Sequence, residues 1–470
     1  MTPPTAPPPV EQTVDLAIIG SGSGNSIPDD RFTDRSIALF EEGTFGGTCL
    51  NVGCIPTKMF VYASDVADIA AHGERYGVGS RVDSVDWPAI QARVFGRVDP
   101  ISVAGKDYRE RGDNVTLYPS YVTLDGRDAD GRYRLVTAGA TVLADEVVLA
   151  AGARPAIPPI ILDSGVRYYT NEDVMRLPTL PRRMIIVGGG YIAAEFAHVF
   201  GALGTQVSIL ARGPALLRRL DESISARFTE IARTQWDVHL NADVAGATDL
   251  PDGGVRVSLE GGTHIDGDVL LIATGRRPNG DRLGLDTIGV GLDIGGRVVT
   301  DPHGRTAARG VWAFGDVSSP YQLKHVANAE RRVVGENLLK GWDAPDLVSF
   351  DHRFVPAAVF THPQIAVVGL TEAQARDAGW DITVKIEPYA AVAFGWAVED
   401  TTGFCKVIAE RGTGKILGTH IIGPQASSVI QPAIQAMSFG SPAHEMARGQ
   451  YWIHPAPPEV LENALLGLDV

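Results

Sequence analysis

The chain has 470 residues, enough for two to four domains. With 44% apolar and 21% charged residues it has the composition of a soluble globular protein, and its length supports a large core without disulfide staples. Lys plus Arg is 41 and Asp plus Glu is 56, a net charge of −15, which makes nucleic acid and anionic membrane surfaces poor partners.

The first segment, MTPPTAPPPVEQ, has no basic patch and no hydrophobic stretch. It is not a secretory signal and is predicted to be a disordered, polyproline-like lead. No apolar run in the chain reaches the roughly 18–20 residues of a membrane span. VDLAIIGSGSGNS, Val14 to Ser26, then reads as a strand, a glycine-rich turn and a helix. Gly20 and Gly22 fill the first two positions of a GxGxxG loop, and the third is Asn25, with Gly24 just before it. Such a loop lets a pyrophosphate approach the backbone and places it at a helix N-terminus. A glycine-rich structural turn is the alternative, and Pro28 shortens or kinks the following helix. Glu41 favours the dinucleotide reading: it ends the next strand, Ser36–Phe40, where an acid can hold a ribose diol.

GGTCLNVGCIPTK follows, from Gly46 to Lys58. Cys49 and Cys54 are five positions apart, without zinc spacing and without a second pair to complete four ligands, so no metal site is expected. A redox-cycling pair is the better account. The third cysteine, Cys405, lies in the strand-like FCKVIAE and reads as a small buried hydrophobe. Three cysteines in all favour a reducing, cytoplasmic compartment.

The strand–loop–helix pattern recurs in MIIVGGGYIAAEFAHVFGALG, Met184 to Gly204, about 170 residues later. Gly188, Gly190 and Ala193 form a cleaner loop. The next strand, Gln206–Leu210, is followed by no acid but by Arg212 and Arg218, which suits the 2′-phosphate of NADPH rather than a free hydroxyl. A solvated basic loop is the bland alternative. Short apolar runs precede AAGARP (Ala150–Pro155) and ATGRRPN (Ala273–Asn279), and VWAFGDV (Val311–Val317) closes another strand. Beyond about Phe350, FVPAAVF, FCKVIAE and GKILGTHIIG read as antiparallel strands and QASSVIQPAIQAM as a helix, an α+β domain with no nucleotide motif. Near the end, HPAPPE places Glu459 five residues after His454, a carboxylate able to orient an imidazole for proton transfer.

GSGSGN, GGTCLNVGC, GGGYIAAE, ATGRRP, FGDV and HPAPPE, in this order from Val14 to about Leu468, resemble the flavoprotein disulfide reductases. Within them, GSGSGNS, CIPTKMFVYA, FGDVSSPYQLKHVANAE, QASSVIQPAIQAM and YWIHPAPPEVLENALLGL are most similar to the subfamily that reduces mycothiol disulfide (mycothione), in which Asn25 is the expected residue. Dihydrolipoyl dehydrogenase and glutathione-disulfide reductase activities are the alternatives. The resemblance implies a glutathione reductase-like fold of mixed α/β and α+β class. Two Rossmann-like domains are expected: an FAD domain over 1–158 that resumes over 281–349, and an NADPH domain over 159–280. A dimer-interface domain is expected over 350–470.

The resemblance also implies roles. Gly20, Gly22, Asn25, Glu41, Gly47, Thr48, Lys58, Gly152 and Asp316 would serve FAD. Gly188, Gly190, Ala193, Glu195, Arg212, Arg218 and Gly275 would serve NADPH. Cys54 would be the sulfur next to the flavin and Cys49 the thiol that attacks substrate. Lys58 and Glu195 would form an ion pair beside the flavin. His454 and Glu459 would act from the other subunit of a homodimer. The threonine usual after His-Pro is Ala456 here, a small departure.

Overall fold

Residues 10–470 are described by a computed structural model. The predicted lead falls largely on residues 1–9, outside the described residues; Val10 already opens the first strand, Val10–Ile19, four residues ahead of the predicted start. The chain folds into two compact units.

The first unit takes residues through Pro56, then 91–156 and 276–350. Val10–Ile19 lies parallel between Ile37–Phe40 and Thr141–Leu149. Val115–Tyr118 extends the sheet beyond Ile37–Phe40, and Val311–Ala313 pairs with Thr141–Leu149, both in parallel. Tyr133–Val136 and Thr123–Arg127 add an antiparallel ribbon. Ala17, Ile19, Ala38, Phe40, Val147 and Leu149 are buried in one core, whereas their strand neighbours Leu16, Ile18, Ile37, Leu39 and Val148 are buried in another. Because successive residues face opposite sides, the sheet is covered on both faces, which is why Leu16–Ile19, Ile37–Phe40 and Val147–Leu149 read as unbroken apolar runs. One expectation fails. No α-helix follows the first glycine loop, only two short 3₁₀ turns, Gly24–Ser26 and Asp30–Phe32. Pro28, between them, has no N–H with which to continue a helix.

The second unit takes residues 57–90, 157–275 and 351–470. Its parallel sheet runs Asp237–Leu240, Gln206–Ala211, Arg183–Val187, Val269–Ile272. The helix Tyr191–Ala202 follows the second glycine loop and buries Ala193, Phe196, Ala197 and Phe200. Val244–Asp249, Val255–Leu259 and His264–Gly267 form an antiparallel sheet. Beyond residue 350, a five-stranded antiparallel sheet runs Ala357–Val359, Gln364–Gly369, Ile416–Gly423, Phe404–Glu410, Ile382–Pro388. QASSVIQPAIQAM is two helices rather than one, Ala426–Val429 and Gln431–Phe439. Pro432 sits in the first turn of the second, where its missing N–H costs nothing. No helix among the described residues is long and apolar enough to cross a membrane.

Ile416–Gly423 is buried along its whole length, and Phe404–Glu410 almost so. A polar cluster is therefore enclosed there. Lys406, 4% exposed, holds Asp221, 1% exposed, and Glu372, each at 2.8 Å. Asp221 caps the helix Glu222–Gln235 through Ser223 N–H and accepts Glu372 N–H at 2.9 Å. Burial pushes the Asp221 carboxyl up, but the hydrogen bonds from Glu372 N–H, Lys406 and Ser223 win and hold it well below the usual carboxylate range. Removing one member of such a pair strands a buried charge. Lys406→Met is expected to cost about 3–5 kcal/mol, read as a lowered thermal midpoint. Asp221 has a folded-state value below its unfolded one, so its contribution is fully present above the ordinary carboxylate pKa and declines as pH falls through it. The gap between Lys406→Met and the parent should therefore narrow in acid.

Candidate active site

The strand Val10–Ile19 delivers the chain to Gly20 at φ 106°. A Cβ there would lie 2.3 Å from Ala150 O, so only glycine fits. Gly24, rather than position 25, supplies the close packing onto the sheet: a Cβ on it would already be tight against Ala150 Cβ and Ile18 Cγ2, at 3.0 and 3.1 Å. Asn25 is freed for another task. Its Oδ1 and carbonyl accept from the Arg109 guanidinium at 2.7 and 2.5 Å. Glu41 emerges from Ile37–Phe40 and fastens the loop. Its Oε2 accepts from Ser21 N–H at 3.0 Å and Ser21 Oγ at 2.6 Å, and its Oε1 from Gly43 N–H at 2.8 Å. Ser21 was not singled out from the sequence; its side chain also accepts Gly46 N–H at 2.8 Å.

Gly46 leads into a one-turn helix, Gly47–Asn51, which carries Thr48 and Cys49. Gly47 lies against the first loop: a Cβ on it would stand 2.7 Å from Gly22 Cα. Cys54 begins the 18-residue helix Cys54–Ala71. Cys49 is half-buried and Cys54 exposed. A hydrogen bond from the Cys54 thiol, the Lys324 charge and the Cys54 N–H outweigh burial and Asp316, and bring the Cys49 thiol down to about 7. That lowering favours the thiolate, the nucleophilic form, near neutrality. Asp316 lies in the 3₁₀ turn Gly315–Val317, where burial raises its carboxyl while Arg276 and Lys324 pull it down. Gly152, at φ 65°, precedes the short strand Ala153–Pro155.

In the second unit, Glu195 is on Tyr191–Ala202 and accepts Phe360 N–H at 2.9 Å. Lys58, on Cys54–Ala71, stacks its ammonium over the Phe360 ring. Burial raises the Glu195 carboxyl, and the Lys58 charge opposes that rise. Phe360, which the sequence reading passed over, thus serves both groups. His454 Nδ1 meets Glu459 Oε1 at 2.5 Å; the His454 side chain is 70% exposed and that of Glu459 14%. The carboxylate fixes the proton on Nδ1 and leaves Nε2 turned to solvent. Tyr451 and Ile453 beside it are exposed apolar side chains.

The second loop repeats the design of the first. Gly188 has φ 140°, and a Cβ there would lie 2.2 Å from Ala273 O. Gly190 caps Tyr191–Ala202 and has open space where a Cβ would be, so a ligand phosphate can approach the helix N-terminus. Arg212 and Arg218 are both exposed, and the Arg218 side chain folds over Gly213, so the two guanidinium-bearing residues flank one short turn. Gly275 leads into Arg276–Pro278. Two cradles shaped by close glycine contacts, each followed by a polar side chain at the end of the next strand, fit two dinucleotides.

Comparison with known proteins agrees with this anatomy. Residues 14–332 match the family model for pyridine nucleotide-disulphide oxidoreductases, and residues 355–465 match the dimerisation domain of that family. The chain is 56% identical over 459 residues to a mycothione reductase of Mycobacterium tuberculosis, covering 97% of this chain and 100% of that one. It is 33% identical to a glutathione reductase of Burkholderia cepacia over 89% of this chain and 91% of the relative. Among solved structures it is similar to the HOCl-induced flavoprotein disulfide reductase RclA of Escherichia coli, with TM-score 0.84, 28% identity and coverage of 96% and 99%.

Proposed function

Because the chain belongs to the pyridine nucleotide-disulphide oxidoreductases, we propose that it is an FAD- and NADPH-dependent reductase of a low-molecular-weight disulfide, mycothiol disulfide. The observation that carries the substrate is the end-to-end, 56% match to a mycothione reductase. The chemistry rests on the Cys49–Cys54 dithiol, whose Cys49 thiol lies near 7. FAD, when bound, supplies the two-electron step between the nicotinamide and the cysteine pair, which side chains alone cannot provide.

Gly20, Gly22, Asn25, Glu41, Gly47, Thr48, Lys58, Gly152 and Asp316 are the residues we assign to FAD. Gly188, Gly190, Ala193, Glu195, Arg212, Arg218 and Gly275 are those we assign to NADPH. The corresponding domains are 1–158 with 281–349 for FAD, 159–280 for NADPH and 350–470 for the subunit interface. In the reduced protein the Cys49 thiolate attacks one sulfur of the substrate disulfide, forming a mixed disulfide and expelling one thiolate. The Cys54 sulfur then attacks Cys49, expels the second thiolate and restores the Cys49–Cys54 disulfide, and the proton that Cys54 gives up goes to that second thiolate as it leaves. His454, oriented by Glu459, holds the proton that the first leaving thiolate takes up. Two electrons pass from the dithiol to the substrate, and two product thiols leave.

His454 acts in this scheme across the interface of a homodimer. Its exposed ring, the exposed Tyr451 and Ile453 next to it and the dimerisation-domain match over 355–465 support that placement. A cytoplasmic setting suits a pair that must be kept cycling through its dithiol form.

The test is NADPH oxidation with mycothiol disulfide, glutathione disulfide and lipoamide as alternatives. Preference for mycothiol disulfide is expected; faster turnover with another member would reassign the substrate while keeping the dithiol chemistry. Arg212→Glu is expected to shift the NADPH-to-NADH preference by about 10–100-fold, the worth of a charge-assisted bond to phosphate. An unchanged ratio of kcat/KM for the two nucleotides would place 2′-phosphate recognition elsewhere.

A further inference from the structure

Lys324 opens the 17-residue helix Lys324–Lys340. A lysine in a first turn stands at the wrong end of the helix dipole, where negative charge is favoured. Its position is therefore not explained by the helix it belongs to. The half-buried side chain is also clamped. Nζ donates to Ser23 Oγ at 2.8 Å, and Ser23 Oγ donates onward to Asn328 Oδ1 at 3.1 Å, one turn along the same helix. Ser23 belongs to the first glycine loop, whose Gly22 lies against Gly47 at the start of the one-turn helix that carries Cys49. The clamp thus fastens a fixed positive charge to the piece of backbone on which the cysteine helix rests.

We propose that Lys324 is a positioning residue for disulfide reduction: held by Ser23 and Asn328, its ammonium keeps the Cys49 sulfur in the thiolate form, from within the subunit that carries the dithiol. The inference rests on the reading of Cys49 as the attacking thiol. The groups that act on Cys49 are the Cys54 thiol and N–H, Lys324 and Asp316. Asp316 opposes, and it is itself faced by Arg276, Glu330 and Lys324. Lys324 is the cation among the groups acting directly on the sulfur, and it also offsets the Asp316 carboxylate that would otherwise repel a thiolate. It falls inside FGDVSSPYQLKHVANAE, but the resemblance read from that stretch gives it no role. It stands eight residues beyond Asp316, past FGDV, in a stretch that reads as an ordinary helix start.

The test uses the FAD-loaded, fully reduced protein, with FAD content measured for every variant. The rate of iodoacetamide alkylation is followed from pH 5.5 to 9.5, and peptide mapping assigns the label to Cys49 or Cys54. Lys324→Met and Lys324→Gln are expected to slow labelling of Cys49 at pH 7 by about 3–5-fold, the effect, from a starting value of about 7, of raising a thiol by somewhat under one pKa unit. Labelling at pH 9.5, where the thiol is ionised in all variants, should be unchanged. Lys324→Arg, which keeps the charge, should restore most of the rate at pH 7. A Cys49 pH profile that is the same in Lys324→Met, Lys324→Gln and the parent overturns the proposal. Label on Cys54 alone in every protein, the parent included, would instead overturn the reading of Cys49 on which it rests.

Discussion

A Cys49→Ser variant is expected to lose reduction of its disulfide substrate by a factor on the order of 10³ or more, the scale seen when a covalent nucleophile is removed. The reason lies in the local electrostatics. Serine is far too weak an acid to ionise near neutrality, whereas the hydrogen bonds from Cys54, together with Lys324, bring Cys49 to about 7. Serine would keep the shape of the Gly47–Asn51 turn, because the hydroxyl is smaller than the thiol and the turn is fixed by the Asn51 side chain. Asn51 Nδ2 donates to the carbonyls of Thr44, Phe45 and Gly47. Oxidation of NADPH by an artificial electron acceptor, which bypasses the dithiol, should therefore proceed at close to the parental rate. The measurement is steady-state turnover with mycothiol disulfide beside turnover with a quinone acceptor. Substantial disulfide reduction in the variant would remove Cys49 from the attacking role. Loss of both activities would mean that the substitution had damaged the cofactor site.

Much of this anatomy is legible in the sequence because it is local. A β-branched run feeding Gly20 or Gly188 can be read directly, since the tight backbone that each adopts is a property of one turn. Cys49 and Cys54 are recognised by spacing, and the structure keeps that spacing as a one-turn helix followed by the start of a long one. What the sequence hid is tertiary. Pro28 announces a shortened helix, but not that the remainder is two 3₁₀ turns with Asn25 held by Arg109, 84 residues away. Phe360 and Glu195 are 165 residues apart, and nothing in either neighbourhood announces the other. Lys324 and Ser23 are separated by 301 residues. Lys406 looks like an ordinary lysine in a strand until the sheet around it is assembled and its side chain is found enclosed with Asp221 and Glu372. Alternation assigns a face to a residue. It does not say whether that face meets water or another layer.

His454→Ala is expected to lower turnover with the disulfide substrate by a factor on the order of 10²–10⁴, the usual worth of a positioned acid–base group. The loss should fall on the half-reaction in which substrate accepts electrons. The leaving thiolate must be protonated at that stage, and Nε2 of a ring whose Nδ1 is held by Glu459 is the group presented to do it. Rapid mixing of the oxidised variant with NADPH should give parental rates, because no step before the dithiol is formed draws on the imidazole. Glu459→Gln separates orientation from proton transfer. An amide can still accept from Nδ1–H, but it no longer supplies the negative charge that stabilises an imidazolium. A loss smaller than that of His454→Ala is therefore expected. Equal losses would assign the carboxylate an indispensable share. Turnover of His454→Ala within about threefold of the parent, well under the 10² floor for such a group, would transfer the proton to another donor and leave the exposed His454–Glu459 pair as a surface ion pair.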